Sequence, residues 1–319
     1  MKNVALLTLL FAVLAALAVG CGGMSVGAGG SSGGVGVGGA FNPNLYEQEI
    51  EDWHSARVAR LRAPDGWLAL VGLFELPEGT HTFGSAPDKE LVFPDGSPEH
   101  GGTLTVIDSV VTLTKGKNVK MTADEKRIRG DVELAADTSP EGPTKIQMGS
   151  IQFYVIERRG ALFLRVKDAD SPVRKSFDGI ERFPVSKEWR VDAVLERYDP
   201  PRLVEVPNIM GYKEMVPCPG ALVFQKDGVT YRLEANSQEG DELFVVFGDA
   251  TSGQDTYGGG RFVYVPMPGA DGHTVLDFNR SYNPPCVFTE FATCPLPTPQ
   301  NVLPFRVEAG EKAWAHAQH

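Results

Sequence analysis

From Trp67 onward, the hydrophobic positions fall in short runs rich in β-branched and aromatic residues, separated by Gly, Pro, Asp and Asn. Runs of this length and composition are typical of β-strands. They predict strands at residues 68–73, 91–93, 103–107, 110–113, 243–247, 262–265 and 274–278. Strands and helices do not alternate along the chain, as they would in a parallel sheet. We therefore predict a mainly β fold.

Two stretches carry a stronger signal, because alternating hydrophobic positions flank a two-residue turn sequence. Residues 151–155 and 162–166 flank Arg159-Gly160, and residues 222–224 and 229–233 flank Asp227-Gly228. Gly preceded by a residue that tolerates positive φ favours tight hairpin turns. Each stretch is therefore predicted to form a β-hairpin.

One segment has the helical period instead. Its apolar positions recur three or four residues apart: Tyr46, Ile50, Trp53 and Leu61. Asn44 and Glu47 form a candidate capping box, which predicts a helix over 44–62. Arg57 lies on the same apolar stripe, so we expect its guanidinium to meet a carboxylate or a ligand there, a structural ion pair being the first choice.

The acidic, Pro-rich stretch 137–143 is the candidate domain boundary. It predicts an N-terminal helix and small β-sandwich-like module over 41–140. A larger antiparallel β-sandwich or barrel module then occupies 141–319, with most of its polar motifs at 249–312.

The order Gly79 to Ser85, 91–93 and 98–104 resembles the spacing of forkhead-associated sandwiches. Members that read phosphothreonine carry an arginine after the first glycine and a serine in the Ser-x-x-His turn. Ser85 and Pro98 or Glu99 stand at these places. We therefore carry over the sandwich shape and leave phosphopeptide binding aside.

The first forty residues predict export and a tether. Residues 1–20 have a positive start at Lys2 and an apolar run to Val19, and Leu17 to Cys21 resembles a bacterial lipobox. The resemblance implies a signal peptide and a Cys21 that carries acyl chains such as palmitate; the alternative is ordinary cleavage beside a chance cysteine. Residues 21–40 then form a Gly-rich linker with ten glycines, which predicts a flexible reach of roughly 25 Å. We expect a lipoprotein at the outer membrane or the periplasmic face.

Composition narrows the partners. The chain of 319 residues is 42% hydrophobic, enough for a sizeable core, and its net charge is −11. An excess of negative charge repels a phosphate backbone, so we expect no nucleic-acid partner. The membrane and a small-molecule ligand are the expected partners.

The C-terminal third holds a dense set of polar motifs. They are Asp255-Thr256-Tyr257 to Arg261-Phe262, Leu276-Asp277-Phe278-Asn279, Asn283-Pro284-Pro285-Cys286, Thr293-Cys294-Pro295-Leu296-Pro297, Asn301 and Ala309-Gly310-Glu311-Lys312. Together with Gly66-Trp67-Leu68 and Gly72-Leu73-Phe74, they closely resemble a bacterial family catalogued as domain of unknown function 1684. The resemblance covers about residues 45–312 and implies no established activity.

These motifs predict a polar pocket. Arg261 can grip a carboxylate or phosphate, and Asp277 and Asn279 would share one face of a strand. With Tyr257 and Asn283, they are the predicted ligand-binding residues for a small polar or anionic ligand. The competing interpretation is a buried Arg261–Asp277 ion pair that braces neighbouring strands.

Two other functions stay open. A hydrolase or other acid/base enzyme would use Asp255 or Asp277 as base, Tyr257 as acid and Arg261 to hold developing charge. An envelope assembly protein would instead present its loops to another protein.

Besides Cys21, the chain has three cysteines. In an oxidising compartment, Cys286 and Cys294 are predicted to form a disulfide and to leave Cys218 free. We predict no metal site, because no Cys-x-x-Cys occurs and the histidines are scattered, and no cofactor. No Gly-x-Ser-x-Gly nucleophile elbow is present either.

Overall fold

Helix α1 (Pro43–Arg62) precedes the strands, as the helical period predicted. The computed structural model describes residues 42–315, so the predicted signal peptide, Cys21 and linker lie outside the described residues. The helix cap differs from the predicted capping box. Asn42 is the N-cap, its side chain accepts hydrogen bonds from the next turn, and Pro43 takes the first helical position, where a missing N–H costs nothing.

Strands dominate the rest of the described chain and confirm the mainly β fold. Their bounds are β1 (Leu70–Glu75), β2 (Gly79–Gly84), β3 (Leu91–Val92), β4 (Gly102–Ile107), β5 (Val110–Lys115), β6 (Thr122–Ala123), β7 (Lys126–Arg127), β8 (Val132–Leu134), β9 (Ile146–Met148), β10 (Ile151–Arg158), β11 (Ala161–Asp168), β12 (Arg190–Pro207), β13 (Lys213–Lys226), β14 (Val229–Glu234), β15 (Ser237–Glu239), β16 (Glu242–Phe247), β17 (Arg261–Pro266) and β18 (His273–Asp277). A second short helix, α2 (Pro172–Ser176), separates β11 from β12.

Two sheets enclose the first core. Their strand orders are β1-β11-β10-β9-β6-β7 and β3-β2-β4-β5-β8, and the β2–β3 pair is parallel. Side chains from both sheets meet in one apolar cluster that runs from Leu76 to Val166 and includes Phe83, Leu104 and Phe153, each fully buried. Strands β9–β11 follow the predicted boundary at 140/141 yet complete this core, which therefore extends to the end of β11.

Two further sheets, β14-β13-β12-β18 and β15-β16-β17, enclose a second core. Both predicted hairpins are confirmed: β10 and β11 join at Arg159-Gly160, and β13 and β14 join at Asp227-Gly228. All four turn residues have positive φ, between 52° and 78°. Such turns match the twist of the strands that they connect.

A third apolar cluster lies where α1, α2 and the C-terminal loops meet. It includes Leu61, Phe177, Val246, Phe262 and Phe288. Among residues 42–315, no helix is long and apolar enough to cross a membrane. The C-terminal loops thus pack on the first helix of the described chain, and the functional candidates are found at this junction.

Candidate functional site

Arg261 is fully buried and is bound on several sides by the protein itself. At the start of β17, its Nη2 donates to Asp249 Oδ2 at 2.7 Å and to the Val307 carbonyl at 2.9 Å, and its Nη1 donates to the Ala309 carbonyl. Burial lowers the pKa of Arg261, and the carboxylate of Asp249 opposes that effect. The buried ion pair predicted for Arg261 exists, but its partner is Asp249 and not Asp277.

The same network holds the terminal segment 305–312, which has no regular strand pairing. Asp249 Oδ1 accepts hydrogen bonds from the Val307 N–H at 3.2 Å and from the N–H of Thr251 at 2.7 Å. The Arg261 side chain donates hydrogen bonds to carbonyl groups that no paired strand contacts. It therefore takes the place of a neighbouring strand. This geometry gives Arg261 and Asp249 a structural role.

Asp277 meets helix α1. The Tyr46 hydroxyl donates to both carboxylate oxygens at 2.8 Å, and Asn279 Nδ2 contacts Tyr46 Oη at 2.8 Å and Asp277 Oδ1 at 3.1 Å. Burial raises the pKa of Asp277, although the hydrogen bonds from Tyr46 and Asn279 act in the opposite direction. The two predicted neighbours are thus adjacent, and both are buried against the helix.

The route to this contact differs from the prediction. Strand β18 ends at Asp277, whose side chain caps a 3₁₀ turn over Phe278–Arg280 by accepting from the Asn279 N–H at 3.0 Å. Asn279 therefore lies in that turn and not two residues along a strand. The turn brings its side chain back over the carboxylate.

Asn283 belongs to a third buried contact, between α1 and the chain end. The carboxylate of Glu311 accepts from Arg57 Nε at 3.0 Å and from the Asn283 N–H at 2.7 Å, and Arg57 also stacks over the Tyr282 ring at 4.4 Å. The carboxylate expected for Arg57 is thus Glu311, and the contact is a structural ion pair. The Asn283 Oδ1 atom has no hydrogen-bond partner among the described residues.

Cys286, Cys294 and Tyr257 form a buried thiol–phenol group. The Cys286 N–H donates to Cys294 Sγ at 3.2 Å, and Cys286 Sγ lies 3.7 Å from Tyr257 Oη. A hydrogen bond from Cys294 lowers the pKa of Cys286, and the same contact together with burial raises the pKa of Cys294. Burial also raises the pKa of Tyr257.

The predicted disulfide between Cys286 and Cys294 is wrong, because both thiols are free. The sulfur of Cys294 is turned to the Cys286 backbone N–H, and the Cys286 sulfur is turned to the Tyr257 hydroxyl. The short spacing along the chain places the two residues near each other. A disulfide also depends on the directions of the two side chains, which the spacing does not determine. Cys218 is free and buried in β13, as predicted.

The four candidate catalytic residues do not converge. Asp255 is half exposed and pairs with Arg306, whereas Asp277 is bound to Tyr46 and Tyr257 is beside Cys286. No hydrogen bond or ion pair joins any two of Asp255, Tyr257, Arg261 and Asp277. Within residues 42–315, no group of three or more His, Cys, Asp or Glu side chains could hold a metal ion.

An open cavity of about 430 Å³ lies beside the thiol–phenol group. Its walls are mostly apolar: Leu68, Leu70, Val71, Pro172, Val173, Val287, Phe288, Phe291 and Trp314. Its polar lining consists of Ser171, Ser176, Thr289 and Glu290. This volume and this mixture of many apolar and few polar groups are typical of small-molecule sites.

No function was predicted for these cavity residues from the sequence. The wall residues 287–291 directly follow Cys286. The motif that ends at Cys286 therefore indicated this part of the chain, but it did not identify the wall side chains as functional. The other walls come from β1, the 3₁₀ turn before it, α2 with the preceding Ser171, and Trp314, which are separated from residues 287–291 along the chain. Only the fold brings them together.

Comparisons with known proteins give a family and two similar structures. The solution structure of an uncharacterized protein from Haloarcula marismortui is 31% identical over 46% of this chain and 81% of its own, with a TM-score of 0.38. The FhaA FHA domain, solved in complex with the intracellular domain of Rv3910, is 16% identical over 30% of this chain and 97% of its own, with a TM-score of 0.21. No curated protein matches the chain.

The family match covers the segment that holds the buried polar networks, the thiol–phenol group and one wall of the cavity. Residues 175–312 match the model described as "Protein of unknown function (DUF1684)". The motifs from Asp255 to Lys312 lie inside the matched range, whereas Gly66-Trp67-Leu68 and Gly72-Leu73-Phe74, in the N-terminal part of the predicted range 45–312, lie outside it. Through residues 175–312, the chain belongs to the DUF1684 family of proteins of unknown function.

Proposed function

We propose that this chain is a membrane-tethered protein of the bacterial envelope that binds a small molecule in the cavity between α2, the start of β1 and residues 287–291. The cavity is the observation that carries the proposal. Its volume of about 430 Å³ lies within the range of small-molecule sites, roughly 300–1,000 Å³. Most of its lining would bury an apolar ligand body.

The lining also selects the ligand. Among the described residues of the lining, only Glu290 is charged, and the hydroxyls of Ser171, Ser176 and Thr289 supply hydrogen-bonding groups. An anionic ligand would meet a carboxylate without a compensating cation. We therefore propose a largely apolar molecule with an uncharged or cationic polar end.

This proposal replaces the polar pocket around Arg261. The Arg261 guanidinium is enclosed by Asp249 and by backbone carbonyls, and Asp277 is enclosed by Tyr46 and Asn279. A ligand that displaced these contacts would leave buried charges without partners, which is costly. These residues support the cavity indirectly, because they hold the C-terminal segment on α1.

The test uses the fluorescent amine N-phenyl-1-naphthylamine, whose apolar rings and single N–H match the proposed ligand class. Val173→Trp fills the cavity from α2, and Val229→Trp adds the same bulk at an exposed position 51% accessible to solvent. We expect saturable binding to the full chain, at least tenfold weaker in Val173→Trp and unchanged in Val229→Trp. No saturable binding, or equal binding by both variants, contradicts the proposed site.

The tether is tested separately by membrane fractionation. The wild-type chain is expected in the membrane fraction, and Cys21→Ser in the aqueous fraction, because the substitution removes the acylated thiol. A Cys218→Ser variant is the matched control, since Cys218 is a buried residue of β13. Equal distribution of wild type and Cys21→Ser contradicts lipid anchoring.

A further inference from the structure

The β-hairpin formed by β6 and β7 lies at one edge of the first sheet, and its two faces differ in chemistry. Thr122 pairs with Arg127, and Ala123 pairs with Lys126. The Ile128 N–H donates to the Met121 carbonyl at 3.0 Å, which continues the same register outward. Lys120 precedes Met121 and Arg129 follows Ile128.

One face of the hairpin belongs to the first core. Met121 and Ile128 are only 3% and 5% exposed and pack in the apolar cluster between the two sheets. Side chains alternate between faces along a strand. Lys120, Arg127 and Arg129 therefore share the outward face, and all three are exposed.

These three residues are here called the basic face. None of them forms an ion pair or a side-chain hydrogen bond with another residue of the described chain. Three positive charges on one face without an ion pair would attract an anion.

The segment around this face has a net positive charge, opposite in sign to that of the complete chain. Segment 115–131 contains the six basic residues Lys115, Lys117, Lys120, Lys126, Arg127 and Arg129 against the three acidic residues Asp124, Glu125 and Asp131. The complete chain has a net charge of −11. An extended anionic surface would therefore attract the protein at this segment and repel it elsewhere, which would fix its orientation.

We propose that the basic face docks on the anionic headgroups of the bilayer that holds the anchor. This inference rests on the proposed tether at Cys21. The linker before the helix predicts a reach of roughly 25 Å, so a lipidated chain would be kept within a short distance of phosphate headgroups. A basic surface beside a lipid anchor adds electrostatic attraction to anionic headgroups and orients the protein on the bilayer. The basic face would supply that contribution.

The experiment measures co-sedimentation of the full chain with Cys21→Ser, so that acyl chains do not contribute. The probes are vesicles of phosphatidylcholine alone and vesicles with about 30% phosphatidylglycerol, whose charge attracts basic segments. We expect binding to the anionic vesicles only, and loss of binding in half-molar NaCl because surface electrostatics are screened.

Two triple variants change the charge equally. Lys120→Gln/Arg127→Gln/Arg129→Gln neutralises the basic face, whereas Lys175→Gln/Lys213→Gln/Arg232→Gln neutralises exposed cations that already pair with carboxylates. At about fivefold per basic residue near the surface, the first variant should bind about 100-fold more weakly and the second should bind like the parent. Circular dichroism confirms that both remain folded.

Each outcome decides between docking and tethering. Equal binding by the two triple variants, or no binding of the Cys21→Ser chain to anionic vesicles, overturns the docking proposal, and the cations would then only protect an edge strand from pairing. These results leave the tether untouched, because fractionation of wild type against Cys21→Ser measures it independently. Vesicle binding without membrane retention of the wild type would instead refute the tether and retain the basic face.

Discussion

The first core and the C-terminal region are closed by different interactions. The first core consists of apolar side chains from two sheets, including Phe83, Leu104 and Phe153. The C-terminal region buries charged residues as well, among them Arg261 and Glu311, each with no exposed surface. The difference follows from the backbone, since the sheets satisfy their own hydrogen bonds whereas the carbonyls of Val307 and Ala309 in segment 305–312 accept from the Arg261 side chain. Where strand pairing ends, hydrogen bonds and ion pairs from polar side chains hold the chain in place.

The largest effect on stability should come from removing the buried polar contacts of the C-terminal region. Arg261→Met removes the donors to Asp249, Val307 and Ala309 and leaves a buried carboxylate without its cation. We expect the free energy of unfolding to fall by about 3–5 kcal/mol, measured by urea denaturation. Adding Asp249→Asn should restore part of the loss, because it removes the unpaired charge. A single variant as stable as wild type would contradict the role given to Arg261.

A smaller loss is expected in the first core. Leu104→Ala removes a fully buried side chain from the apolar cluster and should cost about 3 kcal/mol in urea denaturation. No titratable group changes, so the loss should be the same at pH 5 and pH 8. Ile107→Ala on the same strand is the control, because Ile107 is 63% exposed. A pH-dependent loss in Leu104→Ala would show that the two regions are energetically coupled.

The pH dependence of stability should distinguish the regions further. Burial raises the pKa of Asp277 above its unfolded value, so the folded state holds this proton more tightly than the unfolded chain. Stability from this group is therefore greatest in acid and is lost as the pH rises from about 4 through the raised pKa. Wild type minus Asp277→Asn should show this decline, with an amplitude of about 1.4 kcal/mol for each unit by which the pKa is raised. Parallel stability curves for the two proteins would refute it.

The smallest effect on stability concerns the thiols. Cys218→Ala and Cys286→Ala each remove one sulfur without breaking a covalent link, so each should cost only about 1 kcal/mol. Denatured, unreduced protein should react with iodoacetamide at Cys218, Cys286 and Cys294, as intact mass will show. In the folded protein, Cys286 should react before Cys294, because its pKa is the lower of the two. A thiol that reacts only after reduction would contradict the free-thiol assignment.

Prediction from sequence succeeded where the interaction is local. Helix α1 and both tight hairpins follow from spacing within about twenty residues, and each was found close to its expected bounds. Strand β12 was missed, because Pro200 and Pro201 and many exposed charged residues obscure the alternation in its 18 residues. Its pairing with β13, and not its own composition, makes it a strand.

The candidate site shows the same limit. The sequence predicted that Arg57 needs a carboxylate and that Arg261 sits in a polar environment, since both follow from the cost of burying a charge. It did not identify Glu311 and Asp249 as the partners, which are contacts of the folded state. The cavity walls come from four separate parts of the chain, so no local pattern could have predicted them.

The contact between Arg57 and Glu311 also constrains the order in which the protein can be completed. The two residues are 254 positions apart, and Tyr46 is 231 positions from Asp277. During vectorial synthesis or export, α1 emerges before the strands. Its residues Tyr46 and Arg57 cannot contact Asp277 and Glu311 until nearly the entire chain has been made. The first core, which closes within residues 70–168, can assemble during that interval. The contacts of α1, the helix nearest the predicted anchor, are therefore completed last. A chain arrested before Glu311 would lack the Arg57–Glu311 ion pair, and its α1 would be exposed to the quality-control proteases that recognise incompletely folded proteins.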